Sequence, residues 1–123
     1  MSDLCDKTAV ELRRLIGRKD VSPVELLDSC IARIEATDSA LNAVVTRSFD
    51  RAREEAINAE KAVLNGEELG LLHGLPVGIK DLEATDGIRT TLGSQLYADH
   101  VPNKDQGSVA NIRAEGGIII GKT

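Results

Sequence analysis

Residues 71–82 read L-L-H-G-L-P-V-G-I-K-D-L, and residues 116–123 read G-G-I-I-I-G-K-T. In the first stretch apolar residues alternate with other residues at the period of a β-strand; they are Leu75, Val77 and Ile79. Pro76 must lie at the beginning of that strand, because proline cannot donate a hydrogen bond to a neighbouring strand. The second stretch contains three consecutive isoleucines, Ile118–Ile120, which are typical of a strand buried on both faces of a parallel sheet.

A helix between these two strands would complete a βαβ unit. Asp105 can cap a helix whose apolar positions include Val109 and Ile112, and the pair Gly116-Gly117 can end it. Parallel strands need a crossover of this kind, since a tight turn cannot join them. The sequence therefore predicts the α/β class, with N-terminal helices followed by a βαβ unit.

Two of the N-terminal helices begin with capping signals. Thr8 and Glu11 have the spacing of a capping box, in which the hydroxyl and the carboxylate each satisfy a backbone N–H of the first turn. Ser22 and Glu25 repeat that spacing, and Pro23 occupies the first helical position, where its missing N–H costs nothing. We expect one helix to begin after Thr8 and a second to begin at Pro23.

The third predicted helix covers roughly residues 48–64 and is rich in alanine. It has a narrow stripe of small residues at helical spacing: Ala52, Ala56, Ala59 and Val63. The other positions are mainly Arg, Glu and Lys. We expect the stripe to pack closely on a flat surface while the charged positions stay solvated, and Asn65-Gly66 to end the helix.

Composition excludes several classes of function. The chain of 123 residues has a formal net charge of −5, and no basic stripe is present that could neutralise nucleic-acid phosphates. No apolar run approaches the ~20 residues of a membrane-spanning helix, and the acidic N-terminus does not resemble a signal peptide. Cys5 and Cys30 do not form a disulfide framework, and no metal-ligand spacing is present. We expect a cytoplasmic protein in which Cys30 is a buried spacer and not a reactive thiol.

Lys80 is the candidate catalytic residue. It follows the apolar positions of the first predicted strand, and open α/β sheets bind ligands just beyond the carboxyl ends of their strands. Apolar neighbours would desolvate the amine and favour its neutral form, which is the form that a general base needs. A lone lysine at a strand end is more often a solvated surface charge, so the surrounding motifs decide its interpretation.

These motifs resemble the amidase signature family of serine hydrolases. The matches are G-I-K-D-L after L-H-G-L-P, then T-T-L-G-S at residues 90–94, then G-G-I-I-I-G-K-T, with V-S-P-V-E-L and L-N-A-V-V-T in the lead-in. The resemblance covers nearly the whole chain. It implies an α/β/α fold with a mixed sheet, no cofactor, and cleavage of a small-molecule carboxamide by a Ser–cis-Ser–Lys triad. In that triad the resemblance makes Lys80 the base that deprotonates the serine held in a cis peptide.

The two serines of the triad are not expected within residues 1–123. No serine of the chain lies in a glycine-rich turn that could expose a nucleophilic hydroxyl. In the family, a Gly/Ser-rich stretch supplies both serines and the oxyanion hole, and we expect it to begin after Thr123. Residues 1–123 would then be the N-terminal portion of a single amidase domain, and this portion alone would be inactive.

Other residues in the matched motifs have simpler interpretations. The set Asp81, Thr90, Thr91, Gly93 and Ser94 matches family positions around the site, but we expect structural roles, such as hydrogen bonding in a turn or a positive φ at glycine.

Residues 116–123 also fit the phosphate-loop pattern G-x-x-x-x-G-K-[ST]. Three isoleucines strongly prefer an extended strand to a flexible loop, so we do not expect nucleotide binding. His73 and His100 have no evident partners and are assigned no role.

Three functions stay open. The first is an amidase that releases ammonia or an amine, as a monomer or a homodimer. The second is the subunit of a tRNA-dependent amidotransferase that releases ammonia from glutamine, although T-T-L-G-S resembles general amidases more. The third is a catalytically inert scaffold that uses its apolar strands as a docking surface.

Overall fold

The computed structural model describes residues 3–123. In chain order the helices and strands are α1 (Ala9–Gly17), α2 (Pro23–Leu41), β1 (Thr46–Arg47), α3 (Phe49–Leu64), β2 (Pro76–Ile79), α4 (Gly107–Ala114) and β3 (Ile118–Lys122). Short 3-10 helices cover Leu4–Asp6 and Gln95–Tyr97. Among these residues, no helix is both long enough and apolar enough to cross a lipid bilayer.

The caps of α1 and α2 show how the sequence begins each helix. Ser22 and Glu25 form the full predicted capping box, with distances of 2.8 and 3.0 Å for its two hydrogen bonds. Thr8 accepts from the backbone N–H of Glu11 at 3.2 Å, as predicted. The reciprocal bond predicted for Glu11 is wrong, because its carboxylate accepts instead from the Lys7 ammonium at 3.0 Å.

The sheet has the strand order β1-β3-β2. Strands β2 and β3 are parallel and are joined through α4, which confirms the βαβ unit. Pro76 begins β2, as its missing N–H requires. Strand β1 has only two residues and pairs antiparallel with β3, and no local pattern in the sequence predicts it. The sheet is therefore mixed.

The isoleucines of β3 separate two layers of helices. Ile118 and Ile120 pack on one face of the sheet with the buried alanines of α3 and with Leu27 and Ile31 of α2. Ile119 points to the opposite face, where it packs with Val109 of α4. This arrangement confirms the α/β/α layering, and it confirms that the small-residue stripe of α3 lies close to a flat surface.

Helix α4 begins later and differently from the sequence prediction. Its N-cap is Gln106, which makes no capping hydrogen bond through its side chain. Asp105, the predicted cap, instead accepts from the backbone N–H of Asp86 at 2.7 Å and pairs with Arg113 Nε at 3.0 Å. The carboxylate of Asp105 thus ties the loop before α4 to the helix instead of capping it.

Candidate active site

Lys80 lies where the sequence analysis placed it, directly after the last residue of β2. Ile79 and Lys122 are the last residues of the parallel strands β2 and β3, and they are partners in the register of the sheet. The loop that begins at Lys80 therefore starts at the carboxyl end of the sheet. The Lys80 side chain is exposed at a shallow depression whose other lining residues are Val45, Asp81, Leu82, Thr91, Gly93 and Thr123. The expected desolvation is therefore not provided by residues 3–123, which leave the amine at the rim of the sheet.

Asp81 closes the turn that follows Lys80. Its backbone N–H donates to Thr123 O at 2.8 Å, which joins the turn to the end of β3. Its carboxylate is buried and accepts from the Thr91 backbone N–H at 3.1 Å and from the Thr91 hydroxyl. The Leu92 N–H donates to Asp81 O at 2.9 Å. One aspartate therefore holds together both ends of the segment that runs from Lys80 to Thr91.

Lys122 lies beneath this segment and is fully buried, with 0% of its surface exposed. Its ammonium donates to Glu83 O at 2.8 Å and to Thr90 Oγ1 at 2.7 Å, and it lies 3.9 Å from Asp81 Oδ1. Burial lowers the pKa of Lys122, and the nearby Asp81 and Glu83 charges partly oppose this shift. The three oxygens fix the ammonium between strand β3 and the loop after Lys80.

The sequence predicts a buried strand at Ile118–Ile120, directly before this lysine, but it does not predict the hydrogen-bond network of Lys122. The available signal was a lysine that directly follows a run of residues apolar on both faces. A lysine in such a position needs internal acceptors, because an uncompensated buried charge is very costly. Hydroxyl and carboxylate side chains in T-T at residues 90–91 and in K-D at residues 80–81 were the candidate acceptors.

The structural interpretations of the other motif residues are confirmed. Gly93 has φ +68°, a conformation that glycine adopts without strain, and its N–H donates to Thr91 Oγ1 at 3.2 Å. The Thr90 hydroxyl donates to Ile88 O at 3.0 Å while it accepts from Lys122. Ser94 caps the second 3-10 helix through its hydroxyl, which accepts from the Leu96 N–H. These residues shape the loop through their hydrogen bonds.

Three other serines of the described chain make hydrogen bonds that stabilise the fold. Ser22 caps α2, Ser29 donates to Asp3 at 2.7 Å, and Ser108 donates to Glu83 at 3.2 Å. Ser2 lies outside the described residues. The depression beside Lys80 contains no serine among residues 3–123. The hydroxyl groups that line this depression among residues 3–123 belong to Thr91 and Thr123.

His73 does have a partner, which corrects the sequence interpretation. Its Nε2 lies 2.9 Å from Ala59 O, so the ring links the loop before β2 to helix α3. His100 packs edge-on against Tyr97, with ring centroids 5.7 Å apart. The phosphate-loop pattern is also accounted for, because Ile118–Lys122 forms the buried strand β3. Neither histidine lines the depression beside Lys80.

Lys80, the loop after it and β3 all lie within a segment that matches a known protein family. The model of the family described as Amidase matches residues 25–123. The chain belongs to the amidase signature family. Its match to the family includes β2, the loop after Lys80 and β3, which are the elements that form the candidate site.

Amidase signature relatives match this chain along nearly its whole length. The chain is 38% identical over 98% of its length to the A subunit of glutamyl-tRNA(Gln) amidotransferase from Geotalea daltonii, and 41% identical over 94% to that from Moorella thermoacetica. Each match covers 24% of the relative. A bacterial aryl acylamidase of the amidase signature family superposes on 95% of this chain and 25% of its own, with TM-score 0.90 and 34% identity. The chain thus spans about a quarter of the length of the curated relatives that it matches.

Proposed function

We propose that this chain supplies Lys80 as the general base for hydrolysis of a small-molecule carboxamide, giving a carboxylate and ammonia or an amine. The observation that carries the proposal is the position of Lys80 at the carboxyl end of β2, on a loop anchored by Asp81 and Lys122. An anchored loop matters because a base must be held within hydrogen-bonding reach of the proton that it removes. The exposed amine leaves room for a hydroxyl to approach it.

The proposed chemistry follows the Ser–cis-Ser–Lys triad of the family. The neutral Lys80 amine accepts a proton from the serine in the cis peptide, and that serine accepts the proton of the nucleophilic serine. The nucleophile attacks the amide carbonyl carbon, the C–N bond breaks as the leaving nitrogen gains a proton, and water hydrolyses the acyl-enzyme. We propose that residues 1–123 form the N-terminal portion of the domain and that a later Gly/Ser-rich stretch provides both serines.

A second candidate function is the glutamine-hydrolysing subunit of a tRNA-dependent amidotransferase. It is favoured by similarity, because this chain is 38% and 41% identical to two A subunits of glutamyl-tRNA(Gln) amidotransferase. The similar solved enzyme at 34% identity is an aryl acylamidase. Both functions require the same cleavage of a carboxamide by a triad containing Lys80, so they differ in substrate and partner and not in the role of Lys80.

We also propose a cytoplasmic location, where free thiols such as those of this chain are the normal state.

The role of Lys80 is tested in a protein that joins this chain to its downstream Gly/Ser-rich stretch. Ammonia release is measured from glutamine and from simple aliphatic and aromatic carboxamides, using Lys80→Ala, Lys80→Arg and, as a matched control, Lys104→Ala on an exposed loop. Both Lys80 variants are expected to be inactive, because arginine keeps the charge but does not give up its proton near neutral pH. Near-native turnover by Lys80→Arg would show that the position needs only a positive charge.

The same assay separates the two candidate functions. An amidase is expected to turn over simple carboxamides at a higher kcat/KM than glutamine. The glutamine-hydrolysing subunit is expected to prefer glutamine and to respond to its partner subunits. If the joined protein folds but cleaves no amide at all, the interpretation as an inert scaffold replaces both.

A further inference from the structure

Two cysteines that are far apart in the sequence meet in the structure. Cys5 lies in the first 3-10 helix and Cys30 lies on α2, yet their Sγ atoms are 3.8 Å apart. Cys5 Sγ also lies 3.4 Å from the hydroxyl oxygen of Ser29. Both cysteines are free and only half-buried, so a small reagent in solution can reach the pair.

The N-terminal segment is held in place on both sides of this contact. The Asp3 carboxylate accepts from the Cys5 N–H at 3.1 Å and from the Ser29 hydroxyl at 2.7 Å. Arg33 donates to Asp3 Oδ2 at 2.6 Å and to Asp6 Oδ1 at 3.2 Å. Ser29 and Arg33 flank Cys30 on α2, one residue before it and nearly one turn after it. The contact between the thiols is therefore part of an anchored interface, in which several polar groups fix where Cys5 lies.

The contact has the separation from which a disulfide can form. The sulfurs must approach from 3.8 Å to roughly 2.0 Å. We expect rotation about the χ1 angles of these two half-buried side chains to provide this movement. Asp3 and Arg33 hold the backbone segments close together meanwhile, so the second thiol is present at a high effective concentration.

We propose that Cys5 and Cys30 form a reversible oxidation site, at which a low-molecular-weight disulfide converts the two thiols to an intramolecular disulfide. In the first step, the Cys5 thiolate attacks the reagent R–S–S–R, forming a Cys5–S–S–R mixed disulfide and releasing R–S⁻. In the second step, the Cys30 sulfur loses its proton and attacks Cys5 Sγ, which forms the Cys5–Cys30 bond and releases a second R–S⁻. The protein loses two electrons and two protons, and the reagent is reduced to two thiols. The proposal does not depend on the amide chemistry of Lys80.

The order of the two steps follows from the surroundings of each sulfur. Burial, together with the neighbouring Cys5 and Asp3, raises the pKa of the Cys30 thiol to about 12. A thiol that stays protonated is a poor first nucleophile, since the thiolate is the attacking species. Cys30 therefore acts second, when the mixed disulfide is already held beside it. The structure corrects one part of the sequence-based expectation for Cys30, because the residue is half-buried and not fully buried.

Peptide mapping under non-reducing conditions tests the proposal in the whole protein that contains this chain. After exposure to oxidised glutathione and alkylation of free thiols, trypsin is expected to release the peptide ending at Lys7 linked to the peptide of residues 20–33. Its mass should be about 2 Da below the sum of the two peptides, because two hydrogens are lost. The linked species should disappear after reduction and be absent from Cys5→Ser and Cys30→Ser.

The single variants give a second readout that does not require the cross-link. In Cys30→Ser the glutathione mixed disulfide is expected to accumulate on Cys5, because the second step cannot follow. In Cys5→Ser, glutathionylation of Cys30 is expected to be at least about tenfold slower than glutathionylation of Cys5 in Cys30→Ser, because burial, the largest cause of its raised pKa, remains and still disfavours the Cys30 thiolate. Accumulation of mixed disulfide on Cys5 of the unsubstituted protein, without transfer to Cys30, would overturn the proposal. Faster reaction at Cys30 than at Cys5, or no reaction at either in folded protein, would overturn it as well.

Discussion

The ammonium of Lys122 lies 2.7 Å from the hydroxyl oxygen of Thr90. This bond joins the central strand of the sheet to the loop that follows Lys80, and the bond from Lys122 to Glu83 O joins it a second time. The candidate base is therefore positioned by a second lysine, one that is buried and whose ammonium is surrounded by oxygens. The two lysines have opposite surroundings because Lys80 follows the end of β2, whereas Lys122 lies within β3 and is covered by the loop after Lys80.

We expect Lys122→Met to destabilise the protein by on the order of 3 kcal/mol. Methionine preserves most of the volume, but Glu83 O and Thr90 Oγ1 lose their donor and Asp81 loses the nearby charge. Urea unfolding measures the change in the free energy of unfolding. The control is Lys104→Met, which removes an exposed lysine and is expected to change it by less than about 0.5 kcal/mol. Equal effects of the two substitutions would show that the buried network contributes nothing specific.

Residues 1–123 on their own are expected to hydrolyse no carboxamide. They contain Lys80, but no serine lines the depression beside it among the described residues. Loss of a nucleophile together with its oxyanion donors removes most of the rate enhancement of a serine hydrolase. An ammonia assay on the purified chain, with Lys80→Ala as the blank, measures this. Activity that persists through purification and disappears in Lys80→Ala would contradict the assignment of the serines to later residues.

Stability is expected to fall at acid pH partly through Asp38, near the end of α2. Its carboxylate accepts from the backbone N–H groups of Val44 at 3.1 Å and Ala43 at 2.7 Å, and these bonds lower the pKa of Asp38. The unfolded state then binds more protons than the native state as the pH falls below ~4. The ionised Asp38 carboxylate therefore contributes fully to the free energy of unfolding above that pH. This contribution is lost as the pH falls through the lowered pKa of Asp38 in the folded state.

Asp38→Asn tests this directly. The variant should be less stable than the unsubstituted protein at neutral pH, and the difference in the free energy of unfolding should shrink as the pH falls well below ~4. Asp50→Asn, at a fully exposed side chain on α3, is the matched control and should follow the unsubstituted protein across the same pH range. A pH-independent difference for Asp38→Asn would mean that the backbone contacts do not distinguish the charged carboxylate from a neutral amide.

If the Cys5–Cys30 disulfide forms, the oxidised protein is expected to be more stable than the reduced protein by about 3 kcal/mol. The bond would join residues separated by 25 positions and so would restrict the unfolded chain. Urea unfolding of oxidised and reduced samples measures the difference, and Cys30→Ser should show none. A lower stability of the oxidised form would mean that closing the bond strains the contact between α2 and the first 3-10 helix.

Periodicity and capping predicted the main elements because their causes are local. The full capping box of Ser22 and Glu25 depends on residues three positions apart, and the alternation through β2 is visible in four residues. The placement of Lys80 at a strand end follows from that alternation. The three isoleucines of β3 predicted burial on both faces for the same reason. Family membership followed from the order of these motifs along the chain.

Features that depend on distant residues were not predicted. Strand β1 has two residues and exists because β3 offers it a partner, so no local period marks it. Asp105 was expected to cap α4, but its carboxylate instead binds the backbone N–H of Asp86, which is 19 residues away, and pairs with Arg113 in the last turn of α4. The Lys122 network and the contact between Cys5 and Cys30 depend in the same way on tertiary packing. Single residues can be assigned from sequence only when their partners are close along the chain.

The position of β3 also constrains how the chain can fold during synthesis on the ribosome. Strands β1 and β2 both pair with β3, and among the described residues they do not pair with each other. Neither strand can find its partner until residues 118–122 have left the exit tunnel. Helices α2 and α3 pack against each other and can associate earlier, but Ile118 and Ile120 complete their core. Nascent chains that stall before residue 118 should therefore hold associated helices without a sheet, with the segment that carries Lys80 still open to chaperones and proteases.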